Sequence, residues 1–208
     1  MSRLRRAAAL LAAPMVLLAA CGSGPGTSGG LGQPGLTVDV DVDTPQLRAI
    51  KKEAGVEPCR PGKATEPATG GLPELTLDCL GGGADVDLST LTGPLVINLW
   101  AQWCGPCREE LPYFQRLHEE AGDKVQVLGI DYQDTQPEAA LELIDEVGVT
   151  YPLVADPAGQ IRVPFKVRGL PGVVLVDRVG RVTHTEYVVI DSYDQLRDLV
   201  REHLGVRV

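Results

Sequence analysis

The sequence predicts an α/β fold: a mixed central sheet flanked by helices, with a small N-terminal extension in front of it. Three observations carry this. The segments from residue 94 onward alternate in the order β-α-β-α-β-β-α, which builds a sheet that helices must cover. Leu95–Trp100 is an uninterrupted apolar run of strand length, the pattern of a strand buried on both faces. Hydrophobic residues are 44% and charged residues 23% of 208, enough apolar material for one core and too short a chain for two full domains. Aromatics are only 4%, so aliphatic side chains must do most of the packing.

The chain begins with segments that are not fold. Arg3, Arg5 and Arg6 precede an apolar run from Ala7 to Ala20, short for a membrane span and suited to the core of a signal peptide. Leu18-Ala19-Ala20-Cys21 then resembles a bacterial lipobox, in which Cys21 is lipidated and becomes the mature N-terminus; an ordinary cleaved signal is the alternative. The stretch GSGPGTSGGLGQPG over 22–35 reads as a flexible tether. The expected organisation is a lipoprotein signal peptide over 1–20, a tether over 21–36, an extension over 37–83 and the main domain over 84–208.

Within the extension, Val38, Val40 and Val42 alternate with aspartates and predict a strand with one acidic face. Thr44-Pro45 is a helix start, cap followed by N1 proline, and Gln46–Ala54 supplies about two turns before Gly55. Leu75-Thr76-Leu77 predicts a short strand just before Cys79, and 85–88 an edge strand after the Gly81-Gly82-Gly83 turn.

The main domain gives stronger signals. Residues 104–121 place Cys107, Leu111, Phe114 and Leu117 at helical spacing, with Pro112 expected to kink the helix. Val125–Ile130 is the next strand. Thr135 and Glu138 form the pattern of a capping box for a helix reaching Val147. Strands are expected over 172–177 and 182–190. Ser192 and Gln195 cap a last helix to about His203, whose apolar face holds Tyr193, Leu196, Leu199 and Val200.

Charge narrows the function. The net charge is −9, and a chain without the three arginines of its first twenty residues would carry −12. A nucleic-acid binder needs a basic face, so that class is excluded, and so is adhesion to anionic lipid through a basic patch.

The chemistry lies in Trp103-Cys104-Gly105-Pro106-Cys107, where a buried strand feeds directly into a helix. Only a thiolate attacks a disulfide, and free amides at a helix N-terminus lower a thiol's pKa. Cys104 is therefore expected as the exposed attacking sulfur. Cys107, one turn on, is placed to close a disulfide with it and release a trapped partner. Half of a zinc site would require a second ligand pair, and His118, His184 and His203 show no ligand spacing, so no metal is expected.

These residues resemble a thioredoxin-fold domain of the TlpA/ResA/DsbE type over 94–204. The lipoprotein start and the Cys59/Cys79 lead-in resemble actinobacterial members. The resemblance implies a membrane-tethered thiol–disulfide oxidoreductase at the extracytoplasmic face, without a cofactor, commonly reducing and often serving cytochrome c maturation. It implies protein clients such as apocytochrome c, and a membrane reductant of the CcdA/DsbD type that resets the pair. An oxidase that installs disulfides with the same cysteines is the alternative, and a non-enzymatic binding lipoprotein such as a copper carrier is disfavoured by the lack of a distal histidine ligand.

Gly169-Leu170-Pro171 matches the family's cis-proline loop, which makes Pro171 a site residue. Asn98 stands where cytoplasmic thioredoxins carry a buried aspartate. Glu110 matches an active-site glutamate of ResA-like proteins and would relay a proton for Cys107; a solvated helix acid is the other reading. Gly172 replaces the threonine usual after the proline. With Cys21 assigned to lipid, Cys59 and Cys79 are expected as a structural disulfide, a second redox pair or two free thiols being the alternatives.

Overall fold

A computed structural model describes residues 39–208. The signal peptide, Cys21, the tether and Val38 lie outside the described residues. The regular elements are α1 (Pro45–Glu53), β1 (Thr76–Cys79), β2 (Val86–Asp87), β3 (Leu95–Trp100), α2 (Gly105–Ala121), β4 (Gln126–Tyr132), α3 (Pro137–Val147), β5 (Leu153–Asp156), β6 (Gly172–Val176), β7 (Val182–Glu186) and α4 (Tyr193–Leu204). They form the mixed, helix-flanked sheet expected of a thioredoxin-like fold, seven strands in the order β2-β1-β5-β4-β3-β6-β7.

β3 is parallel to β4 and β4 to β5, through the crossovers α2 and α3, while β6 joins β3 antiparallel. All six β3 residues are buried. Val96 and Trp100 pack with apolar residues of all four helices, including Leu47, Leu111, Leu141 and Leu196. Leu95, Ile97 and Leu99 pack on the other face with Leu77, Leu88, Ile161 and Phe165. The extension is part of this body rather than an appendage. β1 extends the sheet beyond β5, Leu80 donates its N–H to the Leu153 carbonyl at 2.9 Å, and α1 packs on α3.

Local signals explain most boundaries. Thr44 caps α1 by accepting from the Leu47 N–H at 3.2 Å. Ser192 caps α4 by accepting from Gln195, and the Gln195 side chain reaches back to the Asp191 N–H. α2 continues as one helix through Pro112, which lies on the helix's water-facing side.

Four expectations need correction. Residues 39–43 are not a strand: Val42 faces the core and its carbonyl accepts one bond, from Gly81, so no ladder forms. Thr135 does not cap α3, because Pro137 takes the first helical position and moves the cap to Gln136; the Asp134 side chain accepts from the Gln136 N–H instead. β7 ends at Glu186 rather than 190. β5 was missed altogether. It has four residues between two prolines, too few to show periodicity.

No helix among the described residues is long and apolar enough to cross a membrane. Leu111 projects from α2 into the helix-side core and is fully buried. Leu111→Ala is expected to lower stability by about 2–5 kcal/mol, the usual cost of such a cavity. Urea unfolding checks this, and a loss under about 1 kcal/mol would contradict the packing described.

Candidate functional site

The C-terminal end of β3 and the start of β6 meet at one end of the sheet. Leu99 pairs with Gly172, so the next residues in each direction, Trp100 and Pro171, lie side by side at that end. The parallel register brings the end of β4 there as well, with Trp100 opposite Asp131. The loop after β3 then carries Gln102, Trp103 and Cys104 across it.

The segment after β4 holds this loop. Asp134, 3% exposed, accepts from the Gln102 N–H at 2.9 Å with one oxygen and from Gln136 with the other. Trp103 donates its indole N–H to the Gln133 carbonyl at 3.2 Å, which leaves the ring itself more than half exposed. Sequence reasoning missed Asp134. Its signal, an aspartate two residues before a helix cap, had been masked by the apparent Thr135 box.

Cys104 is the N-cap of α2, and its Sγ accepts from the Cys107 N–H at 3.3 Å. The two cysteines are joined as a disulfide with Cα atoms 5.3 Å apart. Gly105 and Pro106 are exposed at the helix mouth. Cys104 was expected to be exposed, yet it is 5% exposed, against none for Cys107, because its side chain belongs to the helix-side apolar cluster. Cys104 is the less deeply buried of the two sulfurs, and the opening to it is narrow.

The bond before Pro171 is cis, and Pro171 is buried with Leu170 partly covered beside it. The glycine that follows has a packing reason. A Cβ on Gly172 would lie 2.7 Å from the Tyr187 ring, so that ring occupies the space a threonine would need. Tyr187 in turn donates its hydroxyl to the Phe165 carbonyl at 2.6 Å, tying β7's end to the segment leading into the proline loop.

Behind Cys107 the interior is polar. Glu110 is 1% exposed, one turn along the same helix face, so it is not a solvated helix acid like exposed Glu109. One of its oxygens accepts from the Ile190 N–H at 3.0 Å and the other has no partner. Burial pushes its pKa up to about 8, against the smaller opposing pull of the Ile190 N–H. Asn98 donates to the Tyr151 hydroxyl at 3.3 Å, and burial raises the Tyr151 pKa too. Tyr151 was not singled out from the sequence, where it looked like an ordinary residue before Pro152.

Buried polar atoms are normally paired. Among the described residues the unpartnered buried side-chain atoms are on Asn98, Trp100, Glu110 and Asp131. All four residues lie on β3, β4 or α2, the elements that converge on the cysteine pair. Burial raises the Asp131 pKa, and the neighbouring Asp134 carboxylate adds to the rise.

The other pair, Cys59 and Cys79, is also a disulfide, with Cα atoms 5.9 Å apart. The histidines serve elsewhere: His118 contacts Glu57, and His184 stacks on His203.

A disulfide across the first turn of a helix, at the end of an interior strand of a thioredoxin-like sheet, defines a thiol–disulfide oxidoreductase. Residues 67–199 match the Redoxin family, and the chain belongs to that family. It is 34% identical over 133 residues to the thiol:disulfide interchange protein HelX of Rhodobacter capsulatus, an alignment covering 60% of this chain and 73% of HelX. It is 31% identical over 114 residues to the thiol:disulfide interchange protein DsbE of Allochromatium vinosum, covering 53% of this chain and 61% of that relative. The thiol-disulfide oxidoreductase ResA of Oceanobacillus iheyensis is 31% identical over 99 residues, so the chain spans about half of it (51%, and 47% of this chain). Among solved structures, a thio-disulfide isomerase of Thermus thermophilus is 26% identical with a TM-score of 0.54, over 72% of this chain and all of that one (100%). A secreted thiol-disulfide isomerase of Corynebacterium glutamicum is 25% identical with a TM-score of 0.56, over 64% of this chain and 83% of that one.

The buried carboxyl makes a pH prediction. Glu110 binds its proton more tightly in the folded chain than in the unfolded one, whose carboxyl titrates near 4.5. Its contribution to stability is therefore full below that value and is lost as pH rises toward about 8. Glu110→Gln is expected to remove that fall. Urea midpoints at pH 5 and pH 8 should differ more in the wild type than in the variant, and equal differences would place Glu110 in water.

Proposed function

We propose that the chain is a membrane-anchored, extracytoplasmic disulfide reductase in which Cys104 attacks and Cys107 resolves. The observation carrying this is the position of the pair, Cys104 at the cap of α2 and Cys107 one turn inside it with Glu110 buried behind. In the reduced protein the Cys107 N–H and the open helix terminus favour a thiolate on Cys104. That thiolate attacks one sulfur of a client disulfide, and the other client sulfur leaves with the electron pair. Cys107 then loses its proton and attacks Cys104 Sγ. The client leaves as a dithiol, and the Cys104–Cys107 disulfide is formed.

Glu110 acts on the second step. A carboxylate one turn from Cys107 accepts its proton, and the protonated form returns one to a leaving thiolate. The direction of its shift suits this role, since a carboxyl titrating near 8 exchanges protons at neutral pH. Trp103 and the Leu170–Pro171 loop frame the opening and would contact the client chain.

Supporting the anchored, reducing role are the lipobox-like Cys21, the Gly/Ser/Pro tether and the resemblance to TlpA/ResA/DsbE proteins. The clients would be protein disulfides, including the Cys-x-x-Cys of apocytochrome c, and a membrane dithiol of CcdA/DsbD type would reset Cys104–Cys107. The Cys59–Cys79 disulfide would hold the extension on the sheet. Closing a loop of 20 residues stabilises by about 3 kcal/mol on the chain-entropy model.

Two measurements test the reading. Cys107→Ser should accumulate mixed disulfides with clients at the extracytoplasmic face, and Cys104→Ser should not; the reverse pattern would exchange the two roles. The potential of the Cys104–Cys107 couple should fall near that of thioredoxin, about −270 mV, whereas a value near the oxidase DsbA, about −120 mV, would make the chain an oxidant.

A further inference from the structure

The turn after β1 encloses a buried ammonium. Lys51, in the last turn of α1, is 7% exposed, and its Nζ lies 2.9 Å from Cys79 Sγ and 2.8 Å from the Gly82 carbonyl. The consecutive glycines 81–83 have their reason here. Gly81 and Gly82 adopt positive φ, and a Cβ on Gly81 would lie 2.8 Å from the Lys51 side chain. A Cβ on Gly82 would collide with the Asp43 carboxylate, and one on Gly83 would press on Cys79 Sγ at 3.3 Å.

Nζ has no anion in direct contact. Lys51 forms no ion pair among the described residues; burial lowers its pKa, and the nearby Asp43 carboxylate, bonded to Arg48, opposes that shift only in part. Asp78 and Asp85 are the other charged groups of this corner, and both belong to the exposed edge. A buried ammonium is costly unless a negative partner meets it. A disulfide sulfur is neutral and a poor acceptor. A Cys79 thiolate would be the missing counter-ion.

We propose that Cys59–Cys79 is a second reducible disulfide, with Lys51 receiving the Cys79 thiolate when the bond opens. The reductant is a dithiol. Its thiolate attacks Cys59 Sγ, the Cys59–Cys79 bond breaks, and the electron pair goes to Cys79. The second thiol of the reductant loses its proton and attacks the reductant sulfur held on Cys59. Cys59 leaves and takes up a proton. The protein gains two electrons, the reductant becomes a disulfide, and one proton is released to solvent because Cys79 stays charged. A leaving thiol of lowered pKa departs faster, which selects Cys59 as the point of attack.

Both sulfurs are buried, so attack on Cys59 requires the chain around it to open locally. Residues 60–70 hold no helix or strand and are tied by few backbone bonds, such as that from Ala64 to Thr90. Opening the bond would free a segment that carries Gly71 and Pro73, which line a cavity of about 830 Å³ with Leu170 of the proline loop.

The test is an equilibrium titration of the full chain with mixtures of reduced and oxidised dithiothreitol. Acid quenching, differential alkylation and peptide mapping report Cys59–Cys79 separately from Cys104–Cys107. Because one proton is released, the reduced-to-oxidised ratio needed for half reduction of Cys59–Cys79 should fall about tenfold per pH unit between pH 6 and 8. A pair giving two ordinary thiols shows no such dependence. Lys51→Met should raise the required ratio at pH 7 at least tenfold and leave the Cys104–Cys107 midpoint unchanged. A ratio independent of pH in the wild type, or circular dichroism showing that the chain unfolds when this bond opens, would make the disulfide structural only. The wild-type pH dependence decides the matter even if Lys51→Met does not fold.

Discussion

Strand β3 has nowhere to move. Its odd and even residues are packed into two different apolar clusters, and its two edges are bonded to β4 and β6 over nearly their whole length. A strand fixed in this way delivers the residue that follows it to a set position. Here that is the loop 101–104 and the first turn of α2. The two cysteines sit where they do because the strand ends at Trp100 and the helix begins at Gly105, leaving Cys104 in the capping position between them. The same constraint places Pro171, since the antiparallel partner of β3 starts one residue beyond it.

Such rigidity has a cost that the interior around the site makes visible. Helix-side cores of this size are built from aliphatics, yet this one admits Asn98, Glu110, Tyr151 and Asp131, and leaves several of their atoms without partners. An unmet buried donor or acceptor costs about 1–3 kcal/mol. Apolar residues of similar shape would make a more stable core, so stability does not account for their presence. For Glu110 the proposed role gives a reason, because proton exchange next to a sulfur requires a group whose charged and neutral forms are close in energy at working pH. Glu110 has that property through burial alone.

How much of this was legible in the sequence follows from the range of each interaction. β3 could be read to the residue, since six consecutive apolar side chains leave little choice, and the caps at Thr44 and Ser192 are local hydrogen bonds with local signatures. The cysteine motif was legible because its two members are three residues apart on one helix. β5 was not, because four residues acquire strand character only from their neighbours β4 and β1. The alternation over 38–43 looked like a strand, but the acidic residues bind locally, Asp43 to Arg48 and Asp41 to the Asp43 N–H, and among the described residues no partner strand meets them. Tyr151 and Asp134 act on residues more than thirty positions away, and no pattern within a short window points to such a pairing.

The two disulfides are set in opposite electrostatic surroundings. Close to Cys104–Cys107 the buried ionisable group is a carboxyl, which when charged opposes a second negative charge on sulfur and when protonated gives up its proton to one. At Cys59–Cys79 it is an ammonium, which favours negative charge on sulfur and whose one nearby carboxylate, Asp43, is bonded to Arg48. A carboxyl suits a pair that must pass its thiolate from one cysteine to the other during each cycle, because neither charged state is held too firmly. An ammonium suits a pair that settles in one reduced form, with the charge kept on Cys79. On the two proposals made above, the sign of a single buried neighbour would separate a fast exchange site from a slower one. Each neighbour is supplied by a helix outside the disulfide's own loop, α2 continuing past Cys107 for one and α1 for the other.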